Sequence, residues 1–145
     1  MKPVHILLVE DNAGDILLTT EALEESRIIN KVSTVKNGKD AIDFVLRQND
    51  FLDVETPDII LLDINLPLKN GHEVLQIIKS NEHTKQIPVI MLTTSSSDED
   101  VSKSYKQHAN CYITKPVEVM DFLKAIATIE DFWLNIVRLP SKENI

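Results

Sequence analysis

Residues 59–63 read Ile59-Ile60-Leu61-Leu62-Asp63, four consecutive apolar side chains followed at once by a carboxylate. A run this short and this apolar is typical of a strand that is buried on both faces of a parallel sheet. Open sheets of α/β proteins place their ligands at the carboxyl ends of the strands. Asp63 is therefore expected at the edge of the sheet where such a protein has its functional site.

Other apolar runs also end in side chains that can take part in chemistry. They are residues 4–9 before Glu10 and Asp11, residues 87–92 before Thr93, and residues 111–114 before Lys115. The carboxyl ends of parallel strands lie at one edge of the sheet, so these side chains are expected to meet there. Any one of these acids alone would more often cap a helix or a turn. The complete set at strand ends indicates metal-assisted phosphoryl chemistry instead.

Three carboxylates in one crevice would raise one another's pKa values unless a cation lay among them. A hard divalent ion resolves this repulsion, and Mg²⁺ with carboxylate ligands is the usual solution. We therefore expect Mg²⁺ among Glu10, Asp11 and Asp63. Lys115 is expected to neutralise a bound phosphoryl group, and Thr93 offers a hydroxyl to the same group.

Strand-like and helix-like stretches alternate five times, a pattern that predicts an α/β fold with a parallel sheet. The second strand, Val32–Val35, is polar enough to lie at a sheet edge. The helix near Asp98–Gln107 has few apolar residues and is expected to be the most mobile one. The first helix, about Gly14–Ser26, is expected to bury Ile16, Leu17, Thr20 and Leu23.

Composition argues against nucleic-acid-binding, membrane-spanning and disulfide-bonded proteins. The chain has 145 residues, 15 basic and 23 acidic side chains and a net charge of −8, which disfavours nucleic acid as a direct partner. No apolar run is long enough to span a membrane, and no signal peptide fits before the first strand. The single cysteine, Cys111, excludes an internal disulfide. We expect a small cytoplasmic domain.

The apolar pattern of the last helix continues beyond the length that one small sheet needs. The surplus apolar residues are Phe132, Trp133, Ile136 and Val137. An oligomer or partner interface would bury them, although the tail could also fold back on its own domain. We divide the chain into a domain of residues 1–128 and a helical extension of residues 129–145, with the extension as the interface.

Taken together, the chain resembles the receiver domain of two-component response regulators. The motifs that carry the resemblance are Leu-Val-Glu10-Asp11, Asp63-Ile-Asn-Leu-Pro67-Leu-Lys-Asn-Gly71, Leu-Thr93 and Tyr112-Ile-Thr-Lys115-Pro116. The resemblance implies a flavodoxin-like (βα)5 three-layer sandwich with strand order 2-1-3-4-5 and an extended C-terminal helix. Two departures are His108, where the family commonly has glycine, and Glu10, where many receivers have aspartate. A histidine can adopt the left-handed conformation that His108 would need.

The resemblance also implies roles for the site residues. Asp63 would accept a phosphoryl group from a phosphohistidine of a partner kinase, with Thr93 and Lys115 binding the phosphoryl oxygens. Tyr112 would be the aromatic switch that moves with Thr93. The Mg²⁺ ligands would be Glu10, Asp11, Asp63 and the backbone carbonyl of Asn65.

The tail is similar to that of small single-domain regulators that serve phytochrome-type histidine kinases. This likeness implies a homodimer through the face of the fourth and fifth helices and the C-terminal extension. Too few residues follow the fifth helix for a DNA-binding domain, so the output would be protein contacts or phosphoryl relay. The protein would catalyse its own phosphorylation and dephosphorylation without being a conventional enzyme. The alternative is a phosphorylation-independent adaptor with a receiver fold.

Overall fold

The computed structural model describes residues 3–25, 29–95, 97–115, 120 and 124. Strands and helices alternate along these residues in the order β1 (Val4–Val9), α1 (Ala13–Glu24), β2 (Asn30–Val35), α2 (Gly38–Leu46), β3 (Ile59–Leu62), α3 (Gly71–Ser80), β4 (Val89–Thr93), α4 (Asp98–Lys106) and β5 (Cys111–Thr114). A short 3-10 turn, Asn49–Phe51, lies between α2 and β3.

The five strands form one parallel sheet in the order β2-β1-β3-β4-β5. The three central strands are buried along nearly their whole length, in agreement with their apolar sequences. β2 forms one edge, and several of its residues are only half-buried or exposed. The predicted fold class and strand order are therefore confirmed.

Two hydrophobic clusters lie on opposite faces of the sheet. Successive residues of a strand point to opposite faces. Leu7 and Leu62 accordingly pack with α2 and α3, whereas Leu8 and Leu61 pack with α1. Helices thus cover both faces and give the three-layer sandwich, with the polar side chains that follow the strands left at its carboxyl edge.

The first helix is shorter than predicted and presents a slightly different face to the core. Its N-cap is Asn12, whose side chain accepts a hydrogen bond of 2.9 Å from the backbone N–H of Asp15. The prediction that Leu17 points inward is wrong, because this side chain is 58% exposed. Each residue advances about 100° around a helix. With Ala22 and Leu23 buried against the sheet, Leu17 therefore faces away from it.

α4 is held by few buried side chains, as its sequence predicts. Ser104 is the buried residue of this helix. The hydroxyl of Ser97 caps the helix by accepting a hydrogen bond from the backbone N–H of Asp100 at 3.1 Å. His108 follows the helix with φ of 69°, the left-handed conformation expected at this position. The predicted mobility of α4 stays a prediction.

Several predictions fall on residues outside the described part of the chain. They are the fifth helix, the boundary at residue 128 and the C-terminal extension with Phe132, Trp133, Ile136 and Val137. Within the described residues, no helix combines the length and the apolar character needed to cross a bilayer.

Candidate functional site

Three carboxylates meet at the carboxyl edge of the sheet. Glu10 and Asp11 follow β1, and Asp63 follows β3, which pairs directly with β1. One oxygen of each carboxylate lies within 4.8 Å of the other two. Glu10 and Asp63 are only 2% and 7% exposed, whereas Asp11 is exposed. The structure therefore brings together the three acids that the sequence pattern selected.

This set of side chains suits a hard divalent cation. Carboxylate oxygens are the ligands that ions such as Mg²⁺ and Mn²⁺ prefer in proteins. Two of the three carboxylates are buried, and buried charge is costly unless it is compensated. Among the described residues, Glu10, Asp11 and Asp63 form the one group of three or more potential metal ligands. The residues present thus fit a divalent metal site.

Backbone contacts fix the position of Asp63. Its N–H donates to the carbonyl of Val9 at 3.1 Å, and its Oδ1 accepts from the N–H of Ile64 at 2.7 Å. The N–H of Gly71 donates to the carbonyl of Ile64 at 2.8 Å. A Cβ on Gly71 would lie 2.2 Å from the carbonyl oxygen of Asp63. Glycine at this position therefore allows α3 to begin directly against the backbone that carries Asp63.

Lys115 reaches the carboxylates from the end of β5. Its ammonium donates to Oε2 of Glu10 and, at 2.9 Å, to Oδ2 of Asp15 in the first turn of α1. The same nitrogen lies 3.6 Å from Oδ2 of Asp63. Lys115 is only 7% exposed, and its backbone N–H donates to the carbonyl of Thr93 at 2.7 Å. It is therefore part of the site and not a surface lysine.

Burial controls the electrostatics of this group. Burial raises the pKa of Glu10 to about 7; the hydrogen bond from Lys115 opposes the rise and the charge of Asp63 adds to it. Burial alone would lower the pKa of Lys115, but the hydrogen bonds to Glu10 and Asp15 and the charge of Asp63 outweigh burial and raise it. Lys115 is thus charged at neutral pH and compensates part of the negative charge.

Thr93 and Tyr112 both contact Ser95, in the loop between β4 and α4. Thr93 is fully buried at the end of β4, and its Oγ1 accepts from the backbone N–H of Ser95 at 3.4 Å. Tyr112 is half-buried, and its hydroxyl donates to the backbone carbonyl of Ser95 at 2.8 Å. Burial raises the pKa of Tyr112. The two residues predicted as a switch are therefore joined through one loop residue.

A hydrogen-bond network that the sequence analysis did not predict runs from this loop to α3. The hydroxyl of Ser95 donates to Oδ2 of Asp100 at 2.6 Å, and Nε2 of the buried His72 lies 2.9 Å from Oδ1 of Asp100. The hydrogen bond from Ser95, followed by that from His72, lowers the pKa of Asp100. The spacing of Ser97 and Asp100 signals a helix cap, but nothing local signals the contact with His72.

Asp15 is a further site residue that the sequence analysis missed. It stands three residues after the N-cap Asn12, where an acidic side chain is usually explained by the helix dipole. Asn65, by contrast, was predicted through its backbone carbonyl. It lies two residues after Asp63 in the loop before α3, and its side chain is exposed.

The arrangement favours phosphoryl transfer over hydrolysis by a serine. The transition state of phosphoryl transfer spreads charge over oxygens that a cation and a lysine can neutralise. Ser95, Asp100 and His72 are residue types of a hydrolytic triad, but Asp100 lies between the other two. In a triad the histidine must contact the serine to take its proton. The network is therefore not a serine hydrolase site.

Comparison with known proteins agrees with this chemistry. The sequence matches the response regulator receiver domain over residues 6–127. It is 44% identical over 139 residues to the response regulator Rcp1 of Synechocystis sp., covering 96% of this chain and 95% of that protein.

The similar solved structures are also response regulators. The phosphorylated cyanobacterial phytochrome response regulator RcpA superposes with a TM-score of 0.94 at 43% identity, over 97% of this chain and 100% of that one. The Mn²⁺-bound form of Rcp1 superposes with a TM-score of 0.92 at 44% identity, over 96% and 100% of the two chains. This chain therefore belongs to the receiver domain family of two-component response regulators, which accept a phosphoryl group on an aspartate from a histidine kinase.

Proposed function

We propose that Asp63 is the aspartate that accepts the phosphoryl group. Two observations carry this proposal: Asp63 is one of the three carboxylates able to hold a cation, and its Oδ2 lies 3.6 Å from the buried ammonium of Lys115. The reaction transfers the group from a phosphohistidine of the kinase. The P–N bond breaks, a P–O bond forms to a carboxylate oxygen of Asp63, and the histidine leaves as the free imidazole. The protein thereby catalyses its own phosphorylation without being a conventional enzyme.

The proposed metal is Mg²⁺, held by Glu10, Asp11, Asp63 and the backbone carbonyl of Asn65. Its chemistry there would be to neutralise charge on the transferred group and to lower the repulsion between that group and the acids. The Mn²⁺-bound form of Rcp1 supports a divalent ion in this family. The three carboxylates of this chain provide the hard oxygen ligands that either ion requires.

Lys115 and Thr93 are proposed to bind the phosphoryl oxygens. Lys115 is charged and lies 3.6 Å from Oδ2 of Asp63, so its ammonium needs only a short movement to reach a group on that residue. Thr93 ends the adjacent strand with its hydroxyl near the β4–α4 loop. A charge-assisted hydrogen bond from the ammonium is the stronger of the two contacts.

The signal is proposed to pass through Thr93 and Tyr112. Both are tied to Ser95, so a movement of the Thr93 hydroxyl toward the phosphoryl group would displace the carbonyl that Tyr112 holds. α4 has little buried surface, which makes the loop and helix a suitable two-state element. The added negative charge on Asp63 would bias that element toward its active state.

The proposed partner is a phytochrome-type sensor histidine kinase, because this chain is similar over nearly its whole length to a cyanobacterial phytochrome response regulator. We also propose a homodimer through the face of the fourth and fifth helices and the extension at residues 129–145. The exposed side chains of Tyr105 and Met120 would contribute apolar surface to such a face. A cytoplasmic location fits the single cysteine.

Phosphorylation by acetyl phosphate tests the assignment of Asp63. The protein is incubated with acetyl phosphate and Mg²⁺, and intact-mass spectrometry measures the phosphoryl mass increment. We expect the increment in the wild type, its loss in Asp63→Asn and its retention in Asp40→Asn, a control at a half-buried position in the first turn of α2, outside the acid group.

Two outcomes would contradict the proposal. Labelling of Asp63→Asn to the wild-type level would show that another residue is the acceptor. Absence of any increment in the wild type, with acetyl phosphate and with a histidine kinase, would favour the phosphorylation-independent adaptor.

A further inference from the structure

Among the described carboxylates beside Lys115, Asp15 is the one that does not belong to the proposed metal site. Its Oδ2 accepts a hydrogen bond of 2.9 Å from the ammonium, and its side chain is 28% exposed. The three acids that can hold a cation are Glu10, Asp11 and Asp63. Asp15 comes from α1, so it reaches the ammonium from a different element than the strand ends do.

The ammonium of Lys115 has three hydrogens and several acceptors that compete for them. Glu10 takes one, Asp15 takes another, and Asp63 lies at 3.6 Å. A cation bound by Glu10 and Asp63 would draw those carboxylates away from the ammonium. Asp15 would keep its hydrogen bond in that state because it lies outside the metal-binding group.

We propose that Asp15 is a positioning residue for Lys115. Its hydrogen bond holds the ammonium in a resting position, and this bond breaks when the ammonium binds a phosphoryl group on Asp63. The inference rests on the proposed function, since it assumes that Lys115 binds the phosphoryl group. Asp15 thus stabilises the unphosphorylated state, because its hydrogen bond must break or weaken when the phosphoryl group binds. It also keeps the ammonium from returning to Glu10 and Asp63 when these ligands are needed for the cation.

Asp15→Asn removes the charge of the Asp15 side chain without changing the cap of α1. The N-cap Asn12 bonds the backbone N–H of residue 15 and not its side chain. The control is Asp40→Asn, since Asp40 occupies the same place in α2, three residues after the N-cap Asn37, which accepts from the backbone N–H of Asp40 at 2.7 Å. The control removes the same charge from the same position relative to the N-cap, where the Asp40 carboxylate also accepts a hydrogen bond from the side chain of Asn37 at 3.0 Å.

The first measurement is the affinity for beryllium trifluoride, a phosphoryl mimic, at saturating Mg²⁺. We expect Asp15→Asn to bind the mimic roughly tenfold more tightly than the wild type, the worth of one charge-assisted hydrogen bond. Asp15→Glu, which keeps the charge, should return the affinity toward the wild-type value. Asp40→Asn should leave it nearly unchanged.

The second measurement is a double-mutant cycle in which isothermal titration calorimetry gives the Mg²⁺ affinity of each variant. Asp15→Asn alone should weaken Mg²⁺ binding several-fold, because Lys115 then turns fully to Glu10 and Asp63. In the background of Lys115→Met, the same change should have no more effect than Asp40→Asn. Far-UV circular dichroism checks that every variant is folded.

The outcomes distinguish this inference from the proposed function. A wild type that binds neither Mg²⁺ nor beryllium trifluoride would overturn the proposed function. A wild type that binds both, with Asp15→Asn indistinguishable from Asp40→Asn, would overturn the inference alone. An undiminished effect of Asp15→Asn in the Lys115→Met background would also overturn it, because Asp15 would then act on the cation directly.

Discussion

Lys115 is buried beside three carboxylates. We expect the balance of charge among them to control both the stability and the chemistry of the site. Removing one partner of a buried ion pair leaves an uncompensated charge, whereas the intact pair adds little net stability. The stability of the unphosphorylated, metal-free protein is therefore expected to depend strongly on Lys115. A bound cation can take over part of the same compensation.

Lys115→Met is expected to destabilise the metal-free protein by about 3 kcal/mol, because Glu10 loses its cationic partner while remaining buried. Mg²⁺ should restore part of this loss, so the variant should gain more stability from Mg²⁺ than the wild type does. Chemical denaturation in EDTA and in Mg²⁺ measures both effects.

A suitable control is Lys85→Met, because Lys85 pairs with Glu82 on the surface. Such exposed pairs contribute little to stability. If Lys115→Met were as stable as the wild type in EDTA and gained equal stability from Mg²⁺, Lys115 would not compensate the charge of the buried carboxylates.

At the scale of elements, the junction of β3 with α3 determines where Asp63 lies. Gly71→Ala would place a Cβ 2.2 Å from the Asp63 carbonyl oxygen, so the backbone must move. We expect a loss of about 2 kcal/mol in the free energy of unfolding and slower phosphorylation by acetyl phosphate.

Gly14→Ala is the matched control, since the contact that the added Cβ would make within the described part of the chain is with the side chain of Asn12, at 3.3 Å. Its free energy of unfolding and phosphorylation rate should stay close to those of the wild type. Equal effects of the two substitutions on the phosphorylation rate would argue against a role for this junction in placing Asp63.

The network between α3 and α4 gives a pH-dependent prediction. The pKa of Asp100 is lowered in the folded state by Ser95 and His72, so its contribution to stability is present above its ordinary pKa of 3.8. That contribution is lost as the pH falls through the lower folded-state pKa. Asp100→Asn should therefore cost about 1 kcal/mol at neutral pH, and the difference from the wild type should shrink as the pH falls below 3.8.

Denaturation curves at a series of pH values test this expectation. Asp98→Asn serves as control, because Asp98 is an exposed acid in the same first turn of α4. If the loss in the free energy of unfolding of Asp100→Asn did not change with pH, packing and not the charge of Asp100 would be responsible.

At the scale of the whole molecule, the proposed homodimer gives a further prediction. The net charge of −8 opposes association through long-range repulsion, so a dimer must bury enough apolar surface to outweigh it. We expect Trp133→Ala to shift the sedimentation coefficient toward that of a monomer, since a buried tryptophan is often a main contributor to an interface.

Leu17→Ala is the control for association, because Leu17 is an exposed apolar residue of α1, outside the proposed interface. It should leave the sedimentation coefficient unchanged. A Trp133→Ala variant that sediments like the wild type would support the alternative in which the tail packs against its own domain.

Most of the fold and the members of the acid group could be predicted from residues that are close in sequence. Burial of β3 on both faces requires four apolar residues in a row, and Asp63 directly after them must then lie at the sheet edge. The left-handed conformation of His108 was also predictable, because a helix end imposes it locally. The direction of Leu17 was not, since a helix with apolar residues on several sides is oriented by the surface on which it packs.

The polar contacts of the site could be found only once several elements had packed together. Asp15 and Lys115 are separated by 100 positions, and His72 and Asp100 by 28. Where the apolar residues of an element lie on one side, hydrophobic periodicity specifies which face is buried, because that preference depends on the element alone. A hydrogen bond between two side chains is a short-range interaction that depends on the relative placement of both elements to within a fraction of an ångström. No local pattern encodes that placement.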